Sequence, residues 1–338
     1  MDIKHHLKFD PDNKPPLLKD QAGPQSGGRQ PRGKVLCHPR GTSGVENANL
    51  AFIGTATTLI EWQGFRILTD PNFLHAGDHV HLGPGISAMR RTNPALDLHE
   101  LPPVDCILLS HYHEDHFDRL VEDSLHRQFP IITTPHAEQC LTARESKDEP
   151  FGQVTSLGVF ESCMLHIGPG EQRAIRITGM PGKHVPPGPV SDANSVLKAI
   201  PPTNGWLVEM GYPSASQGLQ VGYRIYISGD TLFVDELQDI PKRLGNEQVD
   251  LMLVHLGGTT IPGESTPLIM VTMDGKQGMQ LVRLIDADVT IPIHFDDYDA
   301  FLSPLSEFEA EVTKAGYQNR VVYLDRGDSY RFTVGREG

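Results

Sequence analysis

The segment SHYHEDHFD, Ser110–Asp118, places three histidines and two acids within six positions, directly after the apolar run at 106–109. Imidazole and carboxylate are the side chains that bind first-row divalent metals, and a site that leaves a position open to water makes such an ion a catalyst. On a strand, His111 and His113 would point to one side because side chains alternate; in a turn just past a strand end the whole group can converge on one point. For any single histidine a solvated strand end is the plainer alternative. His111, His113, Asp115 and His116 at these spacings together argue against it.

The elements that must present this group are short. The apolar run before it reads as a buried strand, and the stretch FDRLVEDSLHRQ after it as a helix. A strand at PIITT and a helix starting at Pro135 follow, with proline in the first turn. Ahead of the cluster, NLAFIG, TTLIEW and RILTD read as strands, the second and third joined by a turn at Trp62–Gly64. SCMLHI, AIRITGM, GWLVEMG and YRIYISGD give further strands, and the last third alternates: strand VDLMLVHLG, helix DGKQGMQLVRLID, strand DVTIPIHF, helix SPLSEFEAEVTKAG, strand RVVYLD. Strand-rich halves with interspersed helices imply two sheets covered by helices. Residues 1–46, polar and rich in Pro, Gly, Lys and Gln, are expected to form an extended arm outside the core, and 47–338 the catalytic domain. Two long connections, 72–103 and 181–202, carry Gly, Pro and His; loops of this length in a compact domain are usually functional.

Composition narrows the function. The chain has 338 residues, 38% of them hydrophobic, enough for a substantial core. Its formal charge of −14 argues against nucleic acid or anionic lipid as partner, since phosphate backbones need clustered Lys and Arg. Cys37, Cys106, Cys140 and Cys163 lack the spacing of a zinc ribbon or a disulfide framework, which suits a reducing compartment. No signal-peptide core or membrane-length apolar run is present, so a cytoplasmic protein is expected, with a small molecule as partner and a homo-oligomer possible.

SHYHEDHFD also resembles the HxHxDH motif of the metallo-β-lactamase superfamily, and the likeness runs over roughly residues 47–332. It implies an α/β fold, the four-layer αββα sandwich, with a metal site at one edge of two facing sheets. IGTATTLIEWQGFRILTDP, YISGDT and TIPIHFDDYDAF are similar to motifs of the branch that includes ascorbate-6-phosphate lactonase-like and N-acylphosphatidylethanolamine phospholipase D-like proteins. Carried over residue by residue, His111, His113 and His184 would hold one metal, Asp115, His116 and His294 a second, and Asp230 would bridge them. The ions would be Zn2+, with Mn2+ as the alternative. Asp70 would orient a ligand from behind, because a metal-bound imidazole needs an acceptor for its other N–H. His255, on a strongly apolar strand, is left out as a core histidine. Thr55 departs from the branch, where histidine is common at that position.

The activity implied is hydrolysis. Two ions sharing a hydroxide hold it ready near neutral pH, Asp115 and Asp230 serving the catalytic step, and the bond attacked is expected to be a small ester or lactone. The alternatives are a phosphodiesterase or phospholipase D-like hydrolase, an iron redox protein and a non-enzymatic metal-binding protein. A flavodiiron arrangement would need a flavin domain, for which the chain leaves no room. Substrate would be met by Arg90 and Arg91, which can hold an anion bidentately, and by Asp297 and Tyr298, close in sequence to His294.

Overall fold

The computed structural model describes every residue except 1–2, 22, 24, 26, 84, 144–148, 171, 198, 217, 262–267 and 336–338. Two sheets face each other. The first has seven strands in the order Ile3–Phe9, Ser162–Ile167, Arg173–Met180, Gly205–Ser214, Gly218–Ile227, Leu251–His255 and Val289–Ile293. In the second, eight strands run Val154–Ser156, Ile131–Thr133, Cys106–Leu108, Phe65–Thr69, Thr57–Trp62, Ala48–Gly54, Ser329–Phe332 and Val35–Leu36.

Alternation explains why the sheets stack. Leu50, Phe52, Ile60, Trp62 and Ile67 of the second sheet meet Leu165, Ile175, Ile177, Trp206 and Val208 of the first in one buried cluster between them. The opposite face of the first sheet, through Leu207, Tyr226, Met252 and Val254, packs on the helices Asp239–Leu244, Gly275–Ile285 and Leu305–Ala315. Leu59, Leu68 and Ile107 on the outer face of the second sheet pack on Arg119–Ser124 and Pro135–Leu141. This is the four-layer αββα sandwich expected from the sequence.

The helices begin where their caps dictate. Asp118 accepts a hydrogen bond from the Val121 N–H and Thr134 from that of Ala137, and Pro135 occupies the first turn. Asp274 caps Gly275–Ile285 in the same way through Gln277.

Three expectations need correction. The first part of the 1–46 segment does not lie outside the core. Ile3–Phe9 pairs in parallel with Ser162–Ile167 at the edge of the first sheet, Leu17 is buried, and Lys14 forms a buried ion pair with Asp105. The alternating burial of Ile3–Phe9 is that of an edge strand, a pattern that a polar composition hides. Of the polar piece 23–34, residues 24 and 26 lie outside the described residues. RVVYLD is not a strand: only Val321 bridges to Thr290, and the sheet strand comes later at Ser329–Phe332. The 72–103 connection is not structureless either, since His79–Gly83 and Ile86–Met89 pair as a hairpin. No helix among the described residues is long and apolar enough to cross a membrane.

Candidate metal centre

Four chain segments deliver the seven side chains of the two groups to one end of the sandwich. Beyond the strand Cys106–Leu108 the backbone is held by Leu109, whose N–H donates to the Ile132 carbonyl, and by Ser110, whose N–H donates to Asp70 Oδ1 at 2.7 Å. The loop then closes on itself as the amides of His116 and Phe117 both donate to the His113 carbonyl. His111, Asp115 and His116 are thereby fully buried.

Asp230 follows the strand Gly218–Ile227 through Gly229, which has φ +61° and where a Cβ would stand 2.4 Å from the Asn204 carbonyl oxygen. Only glycine allows that approach, so SGDT is a geometric requirement for aiming Asp230. His294 follows Val289–Ile293 and itself has φ +63°, a conformation that a non-glycine residue adopts only when its surroundings enforce it. Its N–H donates to the Thr55 carbonyl at 3.0 Å, and its Nδ1 lies 3.1 Å from the Leu256 carbonyl. Thr55 has φ +53° and Asp70 φ +35°, so the strained backbone collects around this point.

The side chains converge in two groups. One nitrogen from each of His111, His113 and His184 lies within 4.8 Å of the others, and the same holds for one ligand atom each of Asp115, His116, Asp230 and His294. His116 Nε2 is 3.3 Å from Asp230 Oδ1, and His294 Nε2 is 3.5 Å from Asp230 Oδ2 and 3.7 Å from Asp115 Oδ2. A tetrahedral zinc with bonds of about 2.1 Å sets its ligands roughly 3.4 Å apart, so the spacing suits an ion.

Hydrogen bonding tests the fit independently. His111 Nε2, His116 Nε2, His184 Nδ1, His294 Nε2 and Asp230 Oδ1 are buried without a hydrogen-bond partner. Left unpaired, each such atom costs about 1–3 kcal/mol, and a cluster of them at one point is what a bound cation relieves. Protonation agrees. Burial holds the His184 imidazole down to about 4 and His111 well below the ordinary histidine value, which keeps both as neutral ligands. Burial works to raise Asp230, but His294 and His116 outweigh it and hold the carboxyl well below its usual range; His113 and His116 do the same for Asp115. Burial also works to lower His116, but Asp230 and Asp115 outweigh it and hold that imidazole well above its ordinary value.

Asp70 stands behind the cluster, its Oδ2 3.5 Å from His116 Nδ1. Several other partners carry no sequence signal. Ser110 Oγ lies 2.9 Å from His111 Nδ1, and Thr272 Oγ1 donates to Asp230 Oδ2 at 2.9 Å. His255 is buried against the cluster, its ring 5.9 Å from that of His116 and its Nε2 4.0 Å from Asp70 Oδ2, while Ser228 holds its Nδ1. With Asp70 and His116 it forms a third group of ligand type, which its apolar strand conceals.

The residues expected to meet substrate are mostly placed elsewhere. Arg90 is fully buried: its guanidinium donates to Asn72 Oδ1, to the Thr92 carbonyl and to Asp297 Oδ1 at 3.3 Å. Asp297, also fully buried, accepts in addition from Arg326 at 3.0 Å, from Thr92 Oγ1 at 2.5 Å and from the Thr55 N–H at 3.0 Å. The Tyr298 hydroxyl accepts from Asn72 Nδ2 at 2.9 Å, and its ring packs with Leu74, Val80 and Phe301. A charge pair needs burial to be strong, and that burial removes Arg90, Asp297 and Tyr298 from any substrate surface. Arg91 alone of the four is exposed. The network has another effect: Asp297 grips Thr55, and Thr55 grips the backbone of His294. Glu114, a spacer by sequence, accepts from the His81 N–H at 2.7 Å and from Arg119 Nε at 2.8 Å, tying the hairpin down beside the cluster.

Comparison with known proteins gives the family and the fold. The family model described as Beta-lactamase superfamily domain matches residues 65–295. The UPF0173 metal-dependent hydrolase of Thermodesulfovibrio yellowstonii is 26% identical over 282 residues, 81% of this chain and 92% of that protein. The isothiocyanate hydrolase from Delia radicum gut bacteria superposes with a TM-score of 0.65 at 16% identity, over 85% of this chain and 100% of that one. CmlA of Streptomyces venezuelae, a diiron β-hydroxylase, superposes with a TM-score of 0.52 at 14% identity, over 85% of this chain and 54% of that one. At these identities the two structures share the fold alone.

Proposed function

Because the chain belongs to the beta-lactamase superfamily, whose domain model spans well over half of it, we propose that it is a metal-dependent hydrolase working through two divalent ions. His111, His113 and His184 would hold one ion, and Asp115, His116 and His294 the other, with Asp230 within reach of the second group and available to both. Zinc is the ion this nitrogen and carboxylate set suits best. When bound, the ions supply a water acidified to near neutral pH and polarise the bond under attack.

The chain's own residues then have separable tasks. Asp115, held ionised and buried, positions the attacking water by accepting a hydrogen bond from it. Asp70 and Ser110 fix the rings of His116 and His111 through the nitrogen that faces away from the metal. Thr272 fixes the Asp230 carboxylate, and the Leu256 carbonyl fixes His294. The buried centre excludes bulk water, which strengthens each of these electrostatic effects.

We assign the substrate as a small ester or lactone, in keeping with the segments that resemble the ascorbate-6-phosphate lactonase-like branch. The observation that carries the hydrolase reading is the convergence of seven ligand-type side chains, of which His111 Nε2, His116 Nε2, His184 Nδ1, His294 Nε2 and Asp230 Oδ1 are buried without a hydrogen-bond partner. The test is a hydrolysis screen of lactones, carboxylic esters and phosphodiesters, with metal analysis by mass spectrometry. Purified protein should hold about two zinc or manganese ions per chain and cleave members of the first two classes, and a variant carrying Asp115→Ala and His116→Ala should lose both ion and activity. Two irons per chain with no hydrolysis, or full activity in the variant, refutes the proposal.

A further inference from the structure

Two cavities flank the centre on the side of His113 and His184. One, of about 370 Å³, lies beneath the helix Pro189–Leu197 and is lined by His184, Val185, Ser191, Ile200 and Thr203 among others. The second, of about 250 Å³, lies between the His79–Met89 hairpin and the histidine turn and includes His81, Tyr112, His113 and Glu114 in its wall. His136 and Pro201 border both. The metal-ligating groups differ in access in the same sense: Asp115, His116, Asp230 and His294 are wholly enclosed, whereas His113 and His184 form cavity wall. Together the two volumes fall in the range of small-molecule sites, about 300–1,000 Å³.

Charge sorts what they accept. Among the described residues only two Lys or Arg side chains line the cavities, Lys183 and Arg119. Lys183 is paired with Glu236, and Arg119 with Glu114 at 2.8 Å. Asp115 and Asp230 would offset two of the four positive charges that a pair of divalent ions brings, at the centre itself. The chamber beneath the helix offers hydroxyls and the aliphatic surfaces of Val185, Ile200 and Pro201, and the Asn194 amide is spent on the Ile200 backbone. Away from the metals, an anionic group on the rest of the molecule would have to break an ion pair to find a side-chain counter-charge, inside a protein of net charge −14.

We propose that the two cavities are halves of one substrate site, that the site takes an uncharged small molecule with an aliphatic or ring portion under the helix, and that His136 touches the molecule at the junction. The inference deepens the hydrolase reading and rests on it. His136 is the one residue besides proline shared by both walls, and its imidazole is both donor and acceptor, which suits contact with an uncharged polar group.

The experiment uses full-length zinc-loaded protein and a matched pair of aryl esters, 4-acetoxybenzamide and 4-acetoxybenzoate, which differ by one remote charge. Binding is read by saturation-transfer NMR, so it does not depend on turnover, and cleavage by kcat/KM. The uncharged ester should be bound and be cleaved at least about tenfold more efficiently than the anion. Ser191→Trp, which fills the chamber beneath the helix, should raise KM or the dissociation constant about tenfold. His136→Ala should weaken binding at least about fivefold, with metal content unchanged in both variants. Equal preference for the anion, no binding of the uncharged ester, or unaltered binding in both variants overturns the inference. Zinc-loaded protein that binds the uncharged ester and cleaves nothing in the wider screen upholds the site and overturns the hydrolase reading.

Discussion

Replacing Asp297 by alanine should cost far more than an average substitution, because this carboxylate holds a buried network together. It is fully buried, and it accepts from Arg90, Arg326, Thr92 Oγ1 and the Thr55 N–H. Burial alone would raise its pKa, but Arg326 and Arg90 outweigh burial and hold the carboxyl below its usual range. Removing one partner of a buried ion pair costs about 3–5 kcal/mol, since the other charge is stranded. Here Arg90 is stranded with no exposure at all, whereas Arg326 keeps Asp296. The loss should therefore be about 3–5 kcal/mol and not twice that. Asp297→Asn keeps the shape and part of the hydrogen bonding, and should cost about half as much, in the range for charge-assisted hydrogen bonds. Because Thr55 and the left-handed backbone of His294 hang from the same carboxylate, zinc affinity should fall in both variants. Urea denaturation with metal present and removed gives the stability change, and dialysis against a zinc buffer gives the affinity. A loss below about 1 kcal/mol in Asp297→Ala, or unaltered zinc affinity, would show that the network does not brace the centre.

Chelation should lower the melting temperature and zinc should restore it, because the buried ligand atoms then lose their only partner; zinc at a thousandfold above its dissociation constant is worth about 4 kcal/mol, and superimposable melting curves would refute the reading. His255→Gln should leave the metal count of the wild type intact while His111→Ala lowers it; loss of an ion in the first variant, measured by mass spectrometry, would make His255 a ligand. Deleting residues 1–16 should destabilise the protein by about 3–5 kcal/mol in urea, since Asp105 loses Lys14 while remaining buried and the edge strand Ile3–Phe9 is gone. An arm that lies outside the core would give no change.

Much of the candidate centre was legible from local signals. HxHxDH, SGDT and IPIHF each sit where an apolar strand ends, which periodicity reveals, while the roles of His184, Asp230 and His294 were implied by the resemblance to the superfamily and not by spacing. The capped helices were legible for the same reason: Asp118 and Thr134 lie within four residues of the amides they satisfy. What the chain could not disclose depends on partners far away in sequence. Arg90 looks like an anion clamp until Asp297, 207 residues later, is found against it. Glu114 looks like a spacer until the His81 amide, 33 residues earlier, meets it. Ile3–Phe9 reads as polar arm because an edge strand needs only one apolar face, and its neighbour lies about 160 residues onward. The sequence by itself therefore determined the sandwich, the strand-end placement of the histidines and the acidic balance. Tertiary structure alone decided which polar groups are spent on one another and which nitrogens are left facing a common point, because burial and pairing are properties of the space between segments and not of any one of them.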